Sequence, residues 1–201
     1  MDSSALYKLS YGLFVVTARE GDKDNGCIVN TVTQVTSTPE RITVAINKAN
    51  YTNEMISRTG IFNVSILTEG TPFDTFKQFG FQSGRDTDKM VGVNVSRSEN
   101  GLIYLPDCSN ACLSAKVVQT VDLGTHSLFI ADLTDAIALS KDPSVTYAYY
   151  HANIKPKPEN AAKKKGWVCT ICGYIYEGEE LPADFTCPIC KHPASDFKRL
   201  A

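Results

Sequence analysis

From Tyr11 to Asn47 the chain is dense in β-branched residues interleaved with polar ones, a pattern that belongs to strands rather than helices. Three stretches carry it, "YGLFVVTARE", "GCIVNTVTQVT" and "RITVAIN", separated by the turn-rich "GDKDNG" and by "STPE". They predict three successive antiparallel strands. "ANYTNEMISRTG" predicts a short helix that starts at Asn50 or Thr52 and stops at Gly60. "IFNVSIL" predicts a further strand, and "TPFDTFKQFGF" a second short helix. The stretch "FQSGRDTDKMV" is polar and turn-like. "CLSAKVVQTVDLGTHSLFIADLTDAIAL" predicts two strands about a turn near Gly124. Short strands at this density, with few helices, predict a mainly β fold: a closed or partly closed antiparallel barrel with short helical insertions.

The pattern breaks near Asn153. "NIKPKPENAAKKK" holds five lysines and two prolines and has no bulky apolar residue after Ile154. Formal charge changes with it, from −4 over residues 1–152 to +4 over 153–165 and −2 over 166–201. Such a segment has nothing to bury, so it reads as a linker between two mildly acidic domains, with a reach of roughly 20 Å. The overall composition, 43% hydrophobic and 21% charged with a net charge of −2, gives no sign of nucleic-acid binding. No apolar run approaches the length of a membrane span, and the first residues lack the pattern of a secretory leader. Of seven cysteines, Cys27, Cys108 and Cys112 show no disulfide-framework spacing. A reduced, cytoplasmic protein is expected.

The remaining four cysteines, Cys169, Cys172, Cys187 and Cys190, form two Cys-x-x-Cys pairs separated by fourteen residues. Four thiolates make a tetrahedral sulfur cage, which suits zinc or iron, and spacing alone does not choose between them. About thirty-six residues need a staple to fold, and the metal supplies it, with Trp167, Tyr174, Tyr176, Phe185 and Phe197 for packing. Gly173 lets backbone N–H groups approach the first pair of sulfurs, whereas Lys191 stands at the matching place in the second. His192 reads as a surface residue, because four thiolates fill the shell. "WVCTICGYIYEGEELP" and "CPICKHPASDFKRL" resemble rubredoxin, in the compact version fused to rubrerythrins. The resemblance implies one iron in an electron-transfer role; a structural zinc ribbon is the other reading.

The first 152 residues have no Gly-x-Gly-x-x-Gly, Walker loop or Gly-x-Ser-x-Gly elbow, and so neither a Rossmann unit nor a hydrolase site is expected. They do have a polar row, Asn30, Thr31, Gln34, Thr36 and Ser37, able to hydrogen-bond a planar heterocycle. Lys48 stands at an expected helix start, which favours anions. Arg85 and Lys89 lie in a polar loop. "NGCIVNTVTQVTSTP", "NKANYT", "FGFQSGRDTDKMVGV", "GTHSLFIADL" and "TYAYYH" resemble, in order, the flavin reductase-like, FMN-binding split-barrel family. That resemblance implies FMN held at a homodimer interface. Asn30, Thr31, Gln34 and Thr36 would contact its ring or ribityl chain. Lys48, Thr52, Arg85 and Lys89 would serve its phosphate, and His126 would lie near the reacting edge as the catalytic candidate. Family members often carry serines where Thr31, Gln34 and Thr36 stand.

The expected organisation is thus a split barrel (1–152), a Lys/Pro-rich linker (153–165) and a rubredoxin-like domain (166–201). The order resembles the high-molecular-weight rubredoxins of anaerobic bacteria. It implies an oxidoreductase that passes electrons from NAD(P)H, or from an upstream reductase, through FMN and iron to an acceptor such as a flavodiiron protein. A pure electron carrier served by a separate rubredoxin reductase, and a flavin reductase with a structural zinc tail, are the competing readings.

Overall fold

A computed structural model describes residue 5 and residues 8–156, 166–170, 174–188 and 193–200. Seven strands form one antiparallel sheet: β1 (Phe14–Glu20), β2 (Lys23–Val29), β3 (Thr33–Ser37), β4 (Glu40–Asn47), β5 (Ile61–Leu67), β8 (Ser109–Asp122) and β9 (His126–Ala138). Between β5 and β8 lie β6 (Ser96–Arg97) and β7 (Ile103–Tyr104), which pair as a small ribbon. The order across the main sheet is β2-β1-β5-β8-β9-β4-β3. Its two outermost strands, β2 and β3, are consecutive in sequence and joined by Asn30–Val32 alone, so the sheet must curl until its ends meet. Thr31 closes the seam: its hydroxyl donates to Ala45 O at 2.7 Å and accepts from Ala45 N at 3.1 Å. A side chain there does the work of a ladder rung.

The sequence pattern predicts one strand from Gly26 to Thr36; the fold makes two. Lys23–Asn25, expected as turn, is already strand, and the turn is confined to Gly21 and Asp22.

Alternation sorts the core. Ile42, Val44 and Ile46 of β4 and Phe129 and Ala131 of β9 point inward with Val16, Ala18, Phe62 and Val64. Helix α1 (Tyr51–Thr59) adds Met55 and Ile56 to this cluster. Asn50 caps the helix through Thr52 N, and Gly60 ends it at φ 70°, a left-handed conformation that glycine takes without a Cβ penalty. A second core lies outside the barrel, where Val15 and Leu67 pack with Phe76 and Phe79 of α2 (Phe73–Gly80) and with Tyr150. Tyr150 belongs to a helical turn over 147–154. Two cores explain why Val15 to Ala18 are all buried: the strand is covered on both faces.

Polar strand residues on the outer face are buried too. Thr17 donates to Ile103 O (2.6 Å), Asn63 to Ser98 Oγ (2.7 Å), and Leu105 N donates to Ser65 Oγ (3.1 Å), so the β6–β7 ribbon is fastened over β1 and β5. The C-terminal unit is a three-stranded sheet, β11-β10-β12, of β10 (Gly166–Cys169), β11 (Ile175–Tyr176) and β12 (Phe197–Leu200). Among the described residues, no helix is long and apolar enough to cross a membrane.

Candidate functional site

The first turn of α1 gathers groups from four parts of the barrel. Asn53 donates to Ile46 O of β4 (2.8 Å) and accepts from Ser127 of β9 (3.4 Å). Thr52, wholly buried, accepts from Asn25 Nδ2 of β2 at 3.0 Å. Glu54 binds both terminal nitrogens of Arg85, whose guanidinium carbon lies 5.0 Å from the Tyr51 ring centre. Lys23 Nζ lies 4.8 Å from the same ring. Arg58 binds Glu20 and reaches Glu54 at 3.6 Å, so Glu20, Arg58, Glu54 and Arg85 alternate in charge along one face.

Hydrogen bonding from Arg85, more than any other cause, holds the Glu54 carboxyl below its ordinary value. A carboxylate whose folded pKa is depressed adds stability that is present at neutral pH and lost as pH falls through that folded value. Glu54→Gln is therefore expected to narrow the difference in urea midpoint between pH 7 and pH 3. An unchanged difference would show that the pair adds nothing, as exposed pairs often do.

On the other side of the helix start, Lys48 and His126 are neighbours. Asn47 and His126 are register partners on β4 and β9, and Lys48 N donates to Thr125 O at 2.9 Å. Lys48 Nζ donates to Asp122 (2.6 Å), which also accepts from Gly124 N (2.7 Å), so the lysine braces the β8–β9 turn. These two bonds hold the Asp122 carboxyl below its ordinary value. His126 Nδ1 lies 2.9 Å from Thr125 Oγ1.

Of the expected residues, Thr52 and Arg85 lie at the first turn of α1, and Lys48 and His126 are brought together by the β4–β9 register just before it, while Asn30 and Thr31 lie in the β2–β3 connection. Gln34, Thr36 and Ser37 lie along β3, where all five residues are exposed on both faces. Gln34 donates to Thr36 O (3.3 Å) and Thr36 to Pro39 O (2.5 Å), at a register shift within the strand. Lys89 is different. It is 2% exposed, and its ammonium donates inward to Gly26 O (2.9 Å) and Phe79 O (3.2 Å). Burial lowers its pKa, and burial raises that of the neighbouring Cys27 thiol.

Asn25, Asn53 and Gly84 were not legible as site residues. Asn25 sits in a stretch that reads as a turn, and its Oδ1 is buried without a hydrogen-bond partner among the described residues. The donor types present, two cations, a helix N-terminus, hydroxyls and amides, suit a phosphate-bearing planar group.

In the C-terminal unit Cys169 and Cys187 are buried and share a core with Phe197, Trp167, Tyr174, Tyr176 and Phe185. Cys172, Gly173, Cys190, Lys191 and His192 lie outside the described residues. One thiol from each Cys-x-x-Cys pair in a single aromatic core fits a shared metal.

A model of the flavin reductase-like domain matches residues 6–157, and a model of the rubrerythrin, rubredoxin-like domain matches residues 167–198. A high molecular weight rubredoxin of Moorella thermoacetica is 41% identical, with 100% of both chains covered. A ferric-chelate reductase (NAD(P)H) of Archaeoglobus fulgidus is 38% identical over 81% of this chain and 96% of its own. The crystal structure of flavoredoxin from Methanosarcina acetivorans superposes with a TM-score of 0.59 at 25% identity, covering 64% of this chain and 69% of that one.

Proposed function

Because the chain belongs to the flavin reductase-like family and carries a rubredoxin-like domain at its C terminus, we propose that it relays electrons from NAD(P)H through FMN to one iron and on to a redox acceptor. Residues 1–152 form the flavin domain, 153–165 the tether and 166–201 the iron domain in this reading, with the difference that Asn153 and Ile154 complete the helical turn on the barrel and the tether starts at Lys155. The observation that carries it is the pairing of a cation-rich helix start in the barrel with two buried thiols in the tail. When bound, the flavin supplies hydride acceptance and release of electrons one at a time, and the iron supplies a one-electron store.

The chain's own residues hold and orient. Arg85, Lys48 and the first turn of α1 bind the phosphate. Asn30, the Thr31 seam and the hydroxyls and amides of Gln34, Thr36 and Ser37 line the ring and ribityl side. His126 stands at the edge where the nicotinamide arrives. The two bare faces of β3, with Val35 49% exposed, support a homodimer that covers the flavin. A tether of the length of 155–165 lets the iron domain visit the flavin of either subunit and then an external acceptor, such as a flavodiiron protein.

Metal and flavin analysis with anaerobic stopped-flow mixing tests the reading. One iron and one FMN per chain, with NADH or NADPH bleaching the flavin before the iron, is the expected result. Iron and flavin without direct bleaching would leave only a carrier served by a separate reductase. Zinc in place of iron would leave a flavin reductase with a structural tail.

The relative named ferric-chelate reductase, aligned over 81% of this chain, favours a second reading, in which the barrel itself reduces a ferric chelate. Deleting residues 153–201 separates the two: full ferric-chelate reduction by the truncated chain would support the second.

A further inference from the structure

Lys89 faces the interior, although lysines are seldom fully buried without a charged partner. Its two acceptors come from separate elements, Gly26 O in β2 and Phe79 O near the C-terminal end of α2. The end of a helix carries partial negative charge, which offsets part of the cost of burying an ammonium. The surrounding loop is fastened at several points. Gln78 of α2 donates to Lys89 O (2.8 Å) and Val91 O (3.0 Å). Asp86 N and Thr87 N both donate to Ser83 O (3.2 and 3.1 Å), and Arg85 N donates to Ser83 Oγ (3.2 Å). Gly84 is pressed against Asn25, which is tied in turn to Thr52. Between these fastenings the Arg85 side chain reaches across to Glu54 and Tyr51 at the start of α1.

We propose that Lys89 is a positioning residue: its buried ammonium pins the loop over residues 82–89 to β2 and α2, and so holds Arg85 over the first turn of α1. Lys89 then acts on an anion bound there through Arg85 rather than by touching it. The assignment rests on the reading of Arg85 as a phosphate ligand only for its effect on flavin binding; the pinning of the loop stands apart from it.

The test uses the full chain freed of flavin, titrated with FMN and with riboflavin, which lacks the phosphate. Arg85→Ala is expected to weaken FMN roughly 10- to 100-fold, the loss of a charged hydrogen bond, and to leave riboflavin within about twofold. Lys89→Met should weaken FMN about tenfold and spare riboflavin. The double variant should bind FMN no more weakly than Arg85→Ala alone, because both act through one contact. Multiplying losses in the double variant would overturn the proposal in favour of a direct contact, and an equal loss of riboflavin in Lys89→Met, where Arg85→Ala spares riboflavin, would overturn it in favour of general loosening.

Limited proteolysis by trypsin is the second arm and needs no flavin. Releasing the pin is expected to speed cleavage after Arg85 at least fivefold or so, as local opening becomes easier. A rate within about twofold of the parent overturns the proposal whatever the flavin does. Should Lys89→Met fail to fold, Lys89→Gln keeps an uncharged amide donor on a shorter side chain and serves both arms. If Arg85→Ala fails to separate FMN from riboflavin while cleavage speeds up, the phosphate reading falls and the pin stands.

Discussion

Serine in place of Cys187 is expected to leave the full chain without its iron and to unfold the C-terminal domain while the barrel keeps its flavin. Cys187 is 0% exposed and sits in a core whose other buried members are Cys169 and Phe197. Around them pack Trp167, Tyr174, Tyr176, Leu181 and Phe185, with Tyr176 and Phe185 rings 4.7 Å apart and Phe185 and Phe197 rings 5.4 Å apart. A core this small buries too little apolar surface to offset the entropy of ordering its strands. Metal binding to four thiolates supplies on the order of 10 kcal/mol in comparable small domains, and that binding energy is folding energy. Removing one thiolate takes away most of it.

The chain has a single tryptophan, Trp167, and it lies in this domain. Its emission should shift to the red in Cys187→Ser, and in the parent chain after chelation, while flavin absorption stays. Unshifted emission in a metal-free variant would show that the aromatic core stands alone and that the metal is only cargo.

What could be read from the sequence was what repeats at short range. Runs of β-branched residues bounded by turn residues located β4, β5, β8 and β9. Asn50 and Gly60 marked the ends of α1, because a cap and a left-handed stop are local chemistry. The spacing of the four cysteines points to a rubredoxin-like unit, the domain whose model matches residues 167–198. What could not be read depends on pairing across the chain. The break between β2 and β3 leaves the alternation undisturbed, because both pieces stay extended as the chain crosses from one end of the sheet to the other. Lys48 and His126 become neighbours only through the Asn47–His126 register. Thr17, Asn63 and Ser65 look like the solvent face of a strand until the β6–β7 ribbon covers them. Lys89 carries no local sign of burial at all. Its acceptors are backbone carbonyls, which every residue has, so only the fold reveals them.

Gly84→Ala is the second large effect, and one methyl group produces it. A Cβ at Gly84 would stand 2.1 Å from Asn25 Oδ1, 2.5 Å from its Cγ and 2.8 Å from its Nδ2. Asn25 cannot give way cheaply. It is 0% exposed, and turning its amide breaks the 3.0 Å bond to Thr52 Oγ1. The loop must move instead, and Arg85 is its next residue. Overpacking of this kind costs about 1–3 kcal/mol, and a lost buried hydrogen bond adds about 1 kcal/mol. The urea midpoint should therefore fall and the affinity for FMN with it, whereas riboflavin should suffer less. Asn25→Ala in the same chain makes room for the methyl and should restore much of the FMN affinity, although Thr52 then lacks its donor. Rescue by that second change separates a steric cause from a general loosening. A Gly84→Ala chain with the parent's midpoint and FMN affinity would show that this loop does not depend on contact with β2 to hold Arg85.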